Sequence, residues 1–93
     1  MEIIVNKSKL DGFLIDNEGT LRKPKYFDET RLRTLSKTIF EIVADYCIRT
    51  AQTKISGDDF HTILDLQKID FDRDTIAAIV SLQQHDYLKI ENL

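Results

Sequence analysis

The stretch from about residue 29 to 53 constrains this chain most, because its apolar residues recur at helical spacing along two adjacent stripes. Leu32, Leu35, Ile39, Ile42, Val43 and Tyr46 form one stripe, and Phe40, Ala44, Cys47 and Ala51 lie beside it. A helix that is apolar over two neighbouring faces must be covered on both, so the segment predicts a central pillar with other elements around it. Asp28 or Thr30 suits its N-cap, and Glu29 places a negative charge at the positive end of the helix dipole. The remaining ridge of Arg33, Lys37, Glu41, Asp45 and Arg49 carries the opposite-charge pairs Lys37/Glu41 and Asp45/Arg49.

Residues 1–27 read as extended structure. Glu2-Ile3-Ile4-Val5 is a short apolar strand. Phe13-Leu14-Ile15 and Thr20-Leu21-Arg22 flank Asp16-Asn17-Glu18-Gly19, whose Asn and Gly tolerate positive φ, and this predicts a β-hairpin. Pro24 ends its second strand, and Tyr26 with Phe27 reads as a hydrophobic staple ahead of the long helix.

After the pillar, Ser56 is a good N-cap for a second helix with Asp58 and Asp59 in its first turn and Phe60, Ile63 and Leu64 facing inward; the helix is expected to end near Lys68. Asp72 or Asp74 caps a third, whose inward positions are expected to be Ile76, Ile79, Val80 and Gln83, with Leu82 at the margin. Its outward side would then carry Asp74, Ala77, Ala78, Ser81, Gln84 and His85. Tyr87, Leu88 and Ile90 form a terminal strand able to pair with the N-terminal hairpin.

Ninety-three residues, 42% apolar and 31% charged, make one ordinary globular domain with a modest core. The expected layout is 1–27 extended or hairpin and 28–93 a three-helix core with its terminal strand. No apolar run approaches the roughly 20 residues that cross a bilayer. Met1 to Asn6 lacks the marks of a signal peptide, and Cys47 has no partner for an internal disulfide, so a soluble, cytoplasmic protein is expected. The net charge of −3 hides an asymmetry: residues 1–54 hold ten Lys/Arg against eight Asp/Glu, residues 55–93 three against eight.

Residues Thr75 to Ile90 resemble the end of a winged helix-turn-helix domain, in which a third helix leads through a short polar bend into a strand. The resemblance spans about residues 30–93. It implies a helix positioned for the major groove of DNA, yet no Lys or Arg lies between Thr75 and Asp86, and Asp72 and Asp74 would face phosphates that repel them. Asp86 occupies the bend where the family commonly has glycine. The junction Thr53 to Phe60 is also similar, over about thirty residues, to that between the long and final helices of histone-fold proteins, but Pro24 and the hairpin stand where that fold needs a short helix.

Chemistry-bearing patterns are scarce. Neither acidic turn fits a calcium loop: with Gly19 at the sixth position of an EF-hand register, Leu14 falls on the first ligand. Cys47 with His61 or His85 would make a thiol and base, but Cys47 sits mid-helix on an apolar stripe, where cysteine acts as a small hydrophobe. These three residues also fall short of a zinc set.

The expected fold is therefore α+β: an N-terminal β-hairpin, a long central helix, two short helices and a C-terminal strand, arranged like a winged helix. A non-enzymatic regulatory or adaptor protein is expected, with no cofactor, metal, membrane or small-molecule substrate, binding a protein partner or a second copy through Asp74, Ala77, Ala78, Ser81 and His85. The alternative is a nucleic-acid-binding regulator using Arg22, Lys23, Lys25, Arg31, Arg33 and Lys37, where basic side chains adjoin Tyr26 and Phe27.

Overall fold

A computed structural model describes residues 1–24 and 32–92. Within them the elements run β1 (Glu2–Val5), α1 (Lys7–Leu10), β2 (Leu14–Ile15), β3 (Leu21–Arg22), α2 (Thr34–Thr50), β4 (Lys54–Ser56), α3 (Gly57–Leu66), α4 (Arg73–Gln84) and β5 (Leu88–Glu91). The α+β class and the order expected from the sequence are observed.

Helix α2 is the pillar. Ile39 and Val43 from one stripe and Phe40, Ala44 and Cys47 from the other are all buried, and Leu32 just ahead of the helix is buried with them. Phe40 is the hub, with the Phe13 ring edge-on at 5.8 Å and the Tyr87 ring at 4.9 Å. The helix is shorter than its apolar pattern. It starts at Thr34 after Arg33, which gives no side-chain cap; Asp28 and Thr30, the expected caps, and the Tyr26–Phe27 staple lie outside the described residues. At the other end Ala51, expected on the second stripe, is exposed with φ 54° and reverses the chain, and Gln52 N–H closes the helix on the Cys47 carbonyl at 3.0 Å.

That reversal frees Lys54–Ser56 to become a strand. β1 lies between β4 and β5 and is antiparallel to both, with Ile3 opposite Ile55 on one side and Ile90 on the other. Ile3, Val5, Ile55 and Leu88 face the core, while Glu2, Lys54, Lys89 and Glu91 form the ion pairs Lys54–Glu2 and Lys89–Glu91. The terminal strand, read as able to pair with the hairpin, pairs with β1 instead. The hairpin strands β2 and β3 form a separate two-stranded sheet. Two residues per strand give little to pair with, whereas β1 offers four backbone positions and two buried apolar side chains.

The hairpin turn follows the sequence. Asp16 Oδ1 accepts from the Glu18 and Thr20 N–H groups at 2.9 Å each, and Gly19 takes φ 80°. Arg49 Nη2 on α2 donates to the Gly19 carbonyl at 2.6 Å and docks the turn. Gly12 also has positive φ, and a Cβ there would stand 2.7 Å from Pro24 Cβ. The short helix α1, which has too few residues for a periodic signal, is capped by Asn6, whose amide also donates to the Asp86 carbonyl at 2.8 Å.

The third helix of the core, α4, is turned from its expected orientation. Thr75, Ala78, Ile79 and Leu82 are buried, whereas Ile76 and Val80 are 46% and 41% exposed and Gln83 is exposed. The buried arc is displaced by about a quarter turn, roughly 100° on the helical wheel. The reason lies in the α2–α4 contact: the buried Ser36 hydroxyl donates to the Ala78 carbonyl at 3.0 Å, a backbone approach that small side chains permit and Ile or Val would obstruct.

Ala51→Gly is expected to stabilise the protein by about 0.5–1 kcal/mol, since glycine adopts the left-handed conformation without a Cβ penalty. Urea denaturation checks this, as a raised midpoint at unchanged slope.

Candidate functional site

The quarter-turn of α4 brings Ile76 and Val80, one turn apart, to the open side of the helix beside the sheet. There they meet Phe71 of the α3–α4 connection, Phe60 of α3, Ile79 of α4, Ile3 of β1, Ile90 of β5 and Met1 around a groove of about 300 Å³. All eight lining side chains are apolar. Phe60, Ile3 and Ile79 are its buried floor; Phe71 and Met1 are 39% and 37% exposed and, with Ile76 and Val80, form its walls. A cluster of exposed large apolar side chains on a surface otherwise rich in charge marks an interaction site more often than scattered single residues do.

Local sequence sets the walls. Phe71 is held by two rings, Phe60 edge-on at 6.4 Å and His61 tilted at 4.4 Å, so it stands as a fixed flank. Asp72 caps α4 by accepting from Thr75 N–H at 2.9 Å, and the Thr75 hydroxyl donates to the Asp70 carbonyl at 2.6 Å; together these fix the turn that presents Phe71. On the sheet side, Gln83 Oε1 accepts the Ile90 N–H at 2.8 Å and so occupies one outward-facing N–H of β5 beside the groove.

The surroundings are acidic. Asp70, Asp72 and Asp74 are all exposed, flanking Phe71 and preceding Ile76, against the single cation Arg73. Among the described residues, Asp58, Asp65, Asp70, Asp72, Asp74 and Asp86 form no ion pair. The backbone hydrogen bond from Thr75 holds the Asp72 carboxyl below its ordinary range, so it stays charged. Asp59 accepts from the Tyr46 hydroxyl at 3.2 Å.

The residues expected to make the contact share one stripe of α4 but are unequally exposed. Asp74 is exposed; Ala77, Ser81 and His85 are half-buried. Ala78, expected on the outer face, is 1% exposed against α2, so it packs between the helices and cannot meet a partner. The residues that do form a continuous surface, Phe71, Ile76 and Val80, were either overlooked or assigned to the core. A Phe set between two aspartates was the one available hint.

The basic segment is partly neutralised. Arg22 Nε lies 2.7 Å from Asp16 and Lys23 Nζ 2.8 Å from Glu41, carboxylates of the N-terminal half and not of the acidic C-terminal half. Arg33 is exposed, Lys37 is half-buried on α2, and Lys25 and Arg31 lie outside the described residues. Burial pushes the Cys47 thiol up to about 11, the reverse of what a nucleophile needs. Among the described residues no three metal-binding side chains converge, and no helix is long and apolar enough to cross a membrane. Asp86, at the bend before β5, has φ 63°, a conformation that aspartate tolerates.

No family model matches the chain, and comparisons with curated proteins and with solved structures return no match.

Asp16 is held low like Asp72, chiefly by the backbone hydrogen bond from Thr20. A lowered folded value means that each group's stabilisation is present above the ordinary 3.8 and is lost as pH falls from there through the folded value. The double variant Asp16→Asn, Asp72→Asn is therefore expected to lose less stability than the parent on acidification through that window, as followed by thermal melts at stepped pH.

Proposed function

We propose that this protein is a non-enzymatic interaction module, a small regulatory or adaptor protein that binds another polypeptide through the groove between α4 and the sheet. The observation that carries this reading is the exposure of Phe71, Ile76 and Val80 around an apolar floor. Leaving such side chains in water forgoes roughly 25 cal/mol for each Å² a partner would cover. A pocket for catalysis combines an apolar lining with a few convergent polar groups; the groove lining has none. The lone thiol is buried and held protonated.

The acidic outer surface of α3 and α4 belongs to the same proposal, now as the margin of the contact, with Asp74 retained and Ala78 excluded. The likeness to winged helix-turn-helix domains would present this side of α4 to DNA, but it carries Ile76, Val80, Gln83 and Gln84 with Arg73 its one cation, a set better suited to a protein than to phosphates. The nucleic-acid alternative loses ground because Arg22 and Lys23 already have carboxylate partners.

Affinity capture with the full chain tests the reading. A polypeptide retained by the parent should be lost, by at least about tenfold, with Val80→Asp, and kept with the pair Arg22→Ala, Lys23→Ala. Val80 is half exposed, so its thermal melt should stay close to the parent's. An inert monomer in light scattering that retains no polypeptide, or salt-sensitive retention of nucleic acid lost only with the Arg22/Lys23 pair, would sink the proposal.

A further inference from the structure

Resting on that reading, we infer that the groove's occupant is an amphipathic helix flanked by Lys or Arg, inserted by its side chains, and neither an added β-strand nor a second copy of this chain. Three observations converge on it.

The first concerns the sheet edge. Strand addition needs outward N–H and C=O groups free to continue the ladder. On β5, the edge strand beside the groove, Ile90 N–H is already taken by the Gln83 side chain at 2.8 Å. An incoming strand would have to break that bond before forming its own, so the open route is insertion of side chains between α4 and the sheet.

The second is shape. Ile76 and Val80 stand one helical turn apart along α4, with Phe71 at one end and Ile90 opposite. A row of this kind accepts apolar side chains spaced at i, i+3 or i+4 and i+7, the repeat of an amphipathic helix.

The third is charge. Asp70 and Asp72 flank the groove residue Phe71 in sequence, with Arg73 the one cation beside them, and residues 55–93 carry eight acids against three bases. A symmetric contact between two copies would bring two such surfaces together, whereas Lys or Arg at the ends of a helix would meet them favourably.

Titration of the methyl-labelled full chain with designed peptides of roughly four helical turns tests this. One peptide carries Leu at helical spacing with Lys at both ends; a second has the same composition with Leu alternating as in a strand; a third is the helical peptide with Glu replacing Lys. The first is expected to shift the Ile76, Val80 and Ile90 methyl signals, to bind at least about tenfold more tightly than the others, and to weaken with added salt. Equal binding by the alternating peptide would overturn insertion of a helix, and equal binding by the Glu peptide would overturn the basic flanks; both leave the groove as a protein-binding site. Methyl shifts that grow with protein concentration without any peptide would show the second copy to be the occupant. Absence of shifts with all three peptides would sink this inference and the proposed function together.

Discussion

Burial of α2 on two adjacent faces is the constraint from which the rest of the structure follows. Phe40 lies at the meeting of those faces, touching Phe13 ahead of the hairpin and Tyr87 ahead of β5, so one side chain joins the two ends of the chain. Ile39, Val43, Ala44 and Cys47 extend the contact along the helix. Because a closely packed interior tolerates few voids, the elements covering α2 are restricted in how near they lie and how they are turned.

That restriction reaches the groove. α4 approaches α2 closely enough for the Ser36 hydroxyl to reach the Ala78 carbonyl, and this approach fixes the rotation of α4 about its axis. Once Thr75, Ala78 and Leu82 face α2, helical geometry carries Ile76 and Val80 to the other side. The groove is thus a consequence of small-residue packing elsewhere on the same helix. β1 fixes its second wall: held between β4 and β5, it places Ile3 in the floor and Ile90 across from α4.

Much of the architecture was legible along the chain. The strand at Glu2–Val5, the turn at Asp16 to Gly19, the caps Ser56 and Asp72 and both stripes of α2 depend on interactions within a few residues, or on a periodicity that one helix displays by itself. Three features escaped. The strand at Lys54–Ser56 and the pairing of β5 with β1 need partners more than thirty residues away; the end of α2 at Ala51 is closed by local hydrogen bonds, but alanine carries no mark of the left-handed turn that ends it. The orientation of α4 failed differently: ranking its residues by apolarity selects Ile76 and Val80 for the core, while packing selects Thr75 and Ala78 because they are small.

From residue order alone came the α+β class, the caps, the hairpin and the acidic C-terminal half, because these rest on backbone preferences, short-range hydrogen bonds and composition. Tertiary structure decided which face of α4 is buried, where the first strand inserts and hence that an apolar groove exists between α4 and the sheet. Those outcomes turn on how closely two backbones approach, a quantity set jointly by side chains distant in sequence.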